Sequence, residues 1–111
     1  MLEKSVQNEL KAIVGKEWVL TQPEDLATYS YDAYVREFTP DGVLLPGSTK
    51  EISRIMKVAF REGIKIVPRG AGTNLSGNSV ARQGGVILCF TRMNKILEID
   101  VGNRCAVVQP G

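Results

Sequence analysis

The residues best suited to hold a ligand lie in a glycine-rich stretch at 68–77, which reads Pro-Arg-Gly-Ala-Gly-Thr-Asn-Leu-Ser-Gly. Glycine permits positive φ angles and lets a ligand approach the main chain closely. Consecutive N–H groups in such a loop can form a concave nest that binds an anion. Thr73, Asn74 and Ser76 add side-chain donors, and Arg69 adds positive charge at the loop entry. These properties suit the binding of a phosphate or pyrophosphate group.

The spacing of the glycines separates this stretch from two better-known phosphate loops. No lysine follows the glycines, so the stretch does not match the P-loop pattern G-x-x-x-x-G-K-[ST]. The glycines are spaced G-x-G-x-x-x-x-G rather than G-x-G-x-x-G, so the dinucleotide fingerprint is also a poor match. A glycine-rich turn that only joins two elements is the alternative, and spacing alone leaves both interpretations open.

The elements on either side predict where this loop lies. Residues 43–45 form a short apolar run ending at Pro46, and residues 64–67 form a second apolar run directly before the loop. A helix predicted between Ser48 and Gly63 joins them, so the pattern indicates a βαβ unit with parallel strands. Ligands bind at the carboxyl ends of such strands, where the loop begins.

The predicted helix carries its own start signal and an apolar stripe. Ser48 and Glu51 form a capping box, in which the hydroxyl and the carboxylate each accept from a free backbone N–H. The apolar residues recur at helical spacing and are expected to face the core. They are Ile52, Ile55, Met56, Ala59 and Phe60.

The remaining chain adds helices before this unit and strands after it. Residues 2–14 read as an amphipathic helix, and residues 25–31 as a weaker helical segment. Residues 86–90 read as a buried strand, while 96–100 and 105–109 read as the two strands of a hairpin.

Composition excludes several classes of function. The 111 residues carry a net charge of +2 with acidic and basic residues interleaved, which argues against a nucleic-acid footprint. No apolar run is long enough to span a membrane. The absence of histidine excludes an imidazole base or a histidine-ligated metal within this chain, and we predict no catalytic residue and no metal site. Cys89 and Cys105 are expected to be buried free thiols, which fits a cytoplasmic protein.

The loop and its context resemble one flavoprotein family. The sequence Val-Pro-Arg-Gly-Ala-Gly-Thr-Asn-Leu-Ser-Gly at 67–77 is similar to the pyrophosphate loop of the vanillyl-alcohol-oxidase and p-cresol-methylhydroxylase family. The similarity is strongest to the branch of the glycolate oxidase FAD-linked subunit and D-lactate dehydrogenase. Further segments match in order and extend the resemblance over nearly the whole chain, namely 31–33, 43–52, 84–88, 92–96 and 107–111.

The resemblance implies a fold and a domain organisation. It implies an α+β fold, the first FAD-binding subdomain of the p-cresol-methylhydroxylase type, with a small mixed sheet, a parallel βαβ unit and flanking helices. We expect a partial FAD-binding domain and a longer parent protein. The expected parts are a lead-in at 1–42, the βαβ unit and pyrophosphate loop at 43–82, and the start of a second subdomain at 83–111.

The resemblance also implies a function and a set of binding residues. FAD is the implied cofactor, and the parent would oxidise a small 2-hydroxy acid such as glycolate or D-lactate and pass electrons to an acceptor. The fragment alone is expected to be inactive. A non-catalytic nucleotide- or phosphate-binding module and a purely structural domain are the alternatives. The predicted cofactor-binding residues are Pro46, Arg69, Gly70, Ala71, Gly72, Thr73, Asn74, Gly77 and Asn78.

Overall fold

The computed structural model describes residues 2–31, 37–73 and 78–111. Its three α-helices are α1 (Lys4–Val14), α2 (Pro23–Ala27) and α3 (Thr49–Glu62), and a 3-10 turn covers Lys16–Trp18. Its strands are β1 (Val19–Leu20), β2 (Gly42–Leu44), β3 (Ile66–Arg69), β4 (Val86–Cys89), β5 (Ile96–Asp100) and β6 (Cys105–Val108). None of the helices in these ranges is long and apolar enough to cross a bilayer.

The first four strands form one mixed sheet in the order β1-β2-β4-β3. Strands β2 and β3 both run parallel to β4, and β1 pairs antiparallel with β2. The predicted strand, helix and parallel strand are therefore confirmed, but β4 lies between the two strands of that unit. Strand β4 takes the centre because all four of its residues are buried. A strand covered on both faces reads as a continuous apolar run.

Alternate residues of the central strands face two separate apolar layers. Leu44 and Val86 lie in the cluster formed with α1 and α3, which includes Leu10 and Ile55. Val43 and Ile87 lie in the cluster on the other face, together with Leu26, Leu45, Ala81 and Cys89. The sheet is thus packed on both faces, and this burial holds the strand ends in place.

Helix α3 begins with the predicted cap. The Ser48 hydroxyl accepts a hydrogen bond from the Glu51 N–H at 3.2 Å. The Glu51 carboxylate accepts from the N–H of Gly47 at 2.5 Å, one residue earlier than the usual capping box. The helix ends at Gly63, whose φ of 65° is the left-handed conformation typical of glycine after a helix.

The apolar stripe predicted for α3 is partly wrong. The buried residues of the helix are Ile55, Val58 and Ala59, whereas Met56 is 44% exposed and Phe60 is 92% exposed. Each residue turns about 100° around a helix. Met56 and Phe60 therefore lie one step beyond the face centred on Ile55 and Ala59, and they point away from the sheet.

Strands β5 and β6 form the predicted hairpin as a separate two-stranded sheet. All residues of β6 and all but Asp100 of β5 are exposed. Of the two cysteines predicted to be buried thiols, Cys89 is buried and Cys105 is exposed, and both are free. The prediction for Cys105 was wrong because its strand has no layer of described residues packed over it.

Candidate functional site

Three connections meet at one edge of the four-stranded sheet. Because β2, β3 and β4 are parallel, their carboxyl ends lie at the same edge, where α/β sheets bind ligands. The connection after β2 begins at Leu45, the glycine-rich loop begins at Gly70, and the turn after β4 covers 90–93. The glycine-rich loop thus begins at the edge that the sequence predicted.

The first residues of the glycine-rich loop offer unused hydrogen-bond donors. Within the described part of the chain, no hydrogen bond takes up the backbone N–H of Gly70, Ala71, Gly72 or Thr73. Backbone N–H groups need partners from the chain, from water or from a ligand. Four consecutive donors at the carboxyl edge of a sheet suit an anionic ligand.

Arg69 holds the base of this loop. Its residue is only 8% exposed, and its Nη1 donates to the carbonyl of Tyr31 at 2.6 Å and to that of Ser79 at 3.4 Å. The guanidinium also lies over the Tyr29 ring, 5.5 Å from its centroid. Arg69 precedes the loop and Ser79 follows it, so one side chain joins the two ends of the loop.

Gly72 must be glycine for two independent reasons. Its φ is 71°, a conformation that side chains rarely adopt. A Cβ at this position would also overlap the guanidinium of Arg69. The cationic side chain therefore lies directly against the main chain of the loop.

Gly70 has no such internal requirement. Its φ is not positive, and a Cβ there would lie 3.6 Å from the carbonyl oxygen of Pro110, an ordinary contact. The chain itself therefore leaves room for a methyl group at residue 70. An effect of such a methyl group on ligand binding would report the ligand and not the packing of the chain.

The other predicted binding residues lie in different surroundings. Pro46 is fully buried, whereas Ala71, Thr73 and Asn78 are exposed. Asn78 lines a cavity of about 320 Å³ along the outer edge of β3, together with Pro68. Asn74, Ser76 and Gly77 lie outside the described residues.

Sequence reasoning missed Arg92. Its Nη1 donates to the carbonyl of Leu45 at 2.7 Å, and its Cζ lies 4.1 Å from the centroid of the Trp18 ring. A Cβ at Gly47 would lie 2.8 Å from Nη2 of Arg92. These contacts join residues far apart in sequence, and no local pattern could have revealed them.

Arg69 and Arg92 both carry positive charge near the carboxyl edge of the sheet. No carboxylate of the described residues lies within ion-pair distance of either guanidinium. Removing a cation from water without a counter-ion is costly, because neighbouring dipoles compensate only part of the lost hydration. An anion bound at the edge would supply the missing compensation.

The phenol of Tyr29 belongs to the same cluster. Burial raises the pKa of Tyr29, the nearby Cys89 thiol adds to that rise, and the Arg69 charge opposes it. The phenol therefore stays neutral at physiological pH and contributes an aromatic face without adding a negative charge. No group of acidic, cysteine or histidine side chains suited to a metal ion occurs among residues 2–31, 37–73 and 78–111.

Comparison with known proteins identifies the class of domain. A family model described as an FAD binding domain matches residues 40–111, and the chain belongs to this family. The cofactor of the family is FAD. The fold is of the type found in p-cresol methylhydroxylase. That structure, solved with substrate bound, superposes with a TM-score of 0.77 at 24% identity over 86% of this chain and 20% of its own.

Individual relatives give a finer comparison. The glycolate oxidase subunit GlcD of Bacillus subtilis is 43% identical over 112 residues, which cover 100% of this chain and 24% of that protein. The D-2-hydroxyglutarate dehydrogenase of Stutzerimonas stutzeri is 34% identical over 113 residues, with the same shares. An alkyldihydroxyacetonephosphate synthase structure superposes with a TM-score of 0.83 at 23% identity over 98% of this chain and 23% of its own. The chain spans about a quarter of the length of these curated relatives.

Proposed function

We propose that this chain supplies the pyrophosphate-binding part of an FAD-dependent oxidoreductase that oxidises a small 2-hydroxy acid. The substrate class follows from the names of three relatives: a glycolate oxidase subunit, a D-2-hydroxyglutarate dehydrogenase and a mitochondrial D-lactate dehydrogenase. All three names describe proteins that act on 2-hydroxy acids. The electron acceptor would be a separate partner.

The observation that supports this proposal best is the arrangement at the loop entry. Four backbone N–H groups from Gly70 to Thr73 have no partner among the described residues, and the buried Arg69 guanidinium lies against Gly72. A pyrophosphate carries two negative charges and many acceptor oxygens. Consecutive free amides and a nearby cation are features suited to binding such a group.

The binding set and the domain division follow from the same assignment. Residues 1–42 would form the lead-in, 43–82 the βαβ unit with the pyrophosphate loop, and 83–111 the beginning of the second subdomain. Pro46 is buried, so its part would be to shape the turn after β2 and not to present its ring. The proposed cofactor-binding residues are Pro46, Arg69, Gly70, Ala71, Gly72, Thr73, Asn74, Gly77 and Asn78.

The chemistry divides between cofactor and protein. Bound FAD supplies the acceptor for the hydride that leaves the substrate carbon. The residues of this chain bind and orient the cofactor, and we assign none of them a catalytic role. We expect no turnover from residues 1–111 alone. A free exposed Cys105 and a free buried Cys89 suit a reducing compartment such as the cytoplasm.

The decisive experiment compares a substitution at Gly70, in the glycine-rich loop, with one at Gly102, in the hairpin turn. In the full-length protein, Gly70→Ala should reduce FAD affinity by roughly ten- to a hundredfold, since a methyl group beside the free N–H of residue 70 would hinder a charge-assisted contact that contributes roughly 1.5–3 kcal/mol. Thermal stability without FAD should be unchanged, because the chain has room for the methyl group. Gly102→Ala is the matched control. That glycine also has ordinary φ, and its Cβ would lie 3.5 Å from Asp100.

Three outcomes are informative. Loss of FAD binding in Gly70→Ala but not in Gly102→Ala supports the proposal. Equal FAD affinity in both variants and the wild type contradicts it. Separate titrations with ADP and inorganic pyrophosphate complete the design, because equal affinity for all three ligands would indicate a general anion site in place of a flavin site.

A further inference from the structure

Three segments of the chain meet on the guanidinium of Arg92. The side chain comes from the turn after β4, stacks on Trp18 at 4.1 Å and donates to the Leu45 carbonyl at 2.7 Å. Its Nη2 lies so close to Gly47 that a methyl group there would lie 2.8 Å away. Stacking on tryptophan stabilises a cation and restricts its orientation. Arg92 therefore has a defined position against the connection between β2 and α3.

That connection is held from both sides. On one side Arg92 binds the carbonyl of Leu45. On the other, the Glu51 carboxylate binds the N–H of Gly47. Pro46 lies between these two anchors and is fully buried. The connection at 45–48 thus has a single backbone path, although its residues belong to no helix or strand until α3 begins.

The topology places the 45–48 connection near the glycine-rich loop. The connection at 45–48 follows β2, and the glycine-rich loop follows β3. Strand β4 lies between β2 and β3, and all three run in the same direction. The two connections therefore flank the end of β4, from which Arg92 extends. A group bound at the glycine-rich loop would lie across the end of β4 from the 45–48 connection.

We propose that Arg92 is a positioning residue for the FAD site, an inference that rests on the proposed function. It fixes the 45–48 connection as the wall opposite the glycine-rich loop. It also contributes a positive charge that no described carboxylate neutralises. A cofactor that carries two phosphates gains affinity from both effects. Arg92 would act through the connection and through its field, without forming a bond to the reacting part of the cofactor.

The test removes the same contact in two chemically different ways. Arg92→Gln removes the charge and the stacking. Gly47→Ala leaves the arginine present but pushes its guanidinium away, and the displaced atoms belong to the end of a flexible side chain. Arg92→Lys keeps the charge but loses the planar group that both stacks and donates. Arg54→Gln, on the exposed face of α3, removes one positive charge elsewhere and serves as the control.

FAD affinity of the full-length protein is measured by flavin fluorescence at several salt concentrations. We expect Gly47→Ala, which breaks the contact but keeps the charge, to weaken FAD binding about tenfold, and Arg92→Gln, which also removes the charge, to weaken it further. The double variant should be little weaker than Arg92→Gln alone, because that change has already broken the contact that Gly47→Ala affects. Arg92→Gln should also flatten the salt dependence of FAD affinity, whereas Arg92→Lys should retain it.

The outcomes separate this inference from the proposed function. If the wild-type protein binds FAD and the Arg92 and Gly47 variants match it in affinity and salt dependence, the inference is wrong and the proposed function stands. If affinity falls equally in Arg54→Gln, the effect is general charge and the positioning role is wrong. If the wild type binds no FAD, the proposed function fails and the inference fails with it.

Discussion

The four-stranded sheet and the β5–β6 hairpin are built from similar sequences but have opposite surroundings. Ile87 in β4 is 0% exposed, whereas Ile99 in β5 is 68% exposed. The sheet has a packed layer on each face, and the hairpin has its apolar side chains on the surface. Strand-forming residues are therefore enough to make a strand, whereas the burial of its side chains depends on which other elements pack over it.

The hairpin nevertheless reaches the candidate site. After β6 the chain returns to the end of β4, where the Gly111 N–H donates to the Met93 carbonyl at 2.9 Å. The Pro110 carbonyl lies near Gly70. A two-stranded hairpin is marginally stable on its own. We therefore expect the well-packed sheet edge to be the stable part of the site and the segment that the hairpin contributes to be the more easily opened part.

The largest difference should come from removing one isoleucine in each region. In the 111-residue chain, Ile87→Ala should lower the free energy of unfolding by about 2–5 kcal/mol, because it leaves a cavity in the centre of the sheet. Ile99→Ala should change it by less than about 0.5 kcal/mol, since the side chain is already exposed. Urea titration followed by circular dichroism measures both. Equal effects would show that the hairpin is as well packed as the sheet.

A second prediction compares Gly85, beside the four-stranded sheet, with Gly102, in the turn of the hairpin. Gly85 has φ of 99°, and a Cβ there would overlap the carbonyl of Lys65, just before the point where β3 and β4 begin to pair. Gly85→Ala should therefore cost roughly 1–3 kcal/mol of stability. Gly102→Ala in the hairpin turn should be near neutral, because its Cβ meets only an ordinary contact. A Gly85→Ala chain as stable as the wild type would contradict the close approach at Gly85.

A smaller effect is expected at the start of α3. Ser48→Ala removes the hydroxyl that accepts from the Glu51 N–H and should cost about 1 kcal/mol, as N-cap substitutions do. Ser48→Asp supplies another good cap and should retain most of the stability. Thermal unfolding of both variants measures the difference. Identical melting temperatures for Ser48→Ala and wild type would mean that this cap contributes little.

The smallest expected effect is the pH dependence of stability that arises from two carboxylates, Glu9 and Asp100. The hydrogen bond from Arg61 lowers the pKa of Glu9, which joins α1 to α3. Hydrogen bonds from Asn103 lower the pKa of Asp100 in the hairpin turn. A carboxylate whose pKa is lower in the folded state stabilises the fold above its unfolded pKa, and that contribution is lost as the pH falls through the folded pKa. Carboxyl NMR titrations should give midpoints for Glu9 and Asp100 below the ordinary pKa values of glutamate and aspartate side chains.

Glu9→Gln and Asp100→Asn are the matched controls for the pH effect. Each should remove only its own part of the acid sensitivity, and the effects should be small because both carboxylates remain partly exposed to solvent, which screens their interactions. Midpoints at or above the ordinary values would contradict the hydrogen bonds assigned to these residues.

Elements that depend on residues close together in the chain could be predicted from the amino-acid sequence. The cap at Ser48, the helix that follows it, the apolar run of β4 and the hairpin were all predicted, since capping and periodicity depend on residues a few positions apart. The glycine-rich loop and its place after β3 were predicted for the same reason. The likeness of the loop to a known family added the cofactor, which spacing alone left open.

How these parts meet depends on tertiary packing. Strand β4 lies between β2 and β3, and Arg92 contacts Leu45 and Trp18. Phe60 and Cys105 are exposed. Each of these depends on contacts between residues far apart in the chain. A local pattern records which face of an element is apolar, but it does not record which element will cover that face. The positions of Arg69 and Arg92 follow from that packing, because both side chains are held by backbone carbonyls and aromatic rings of other segments.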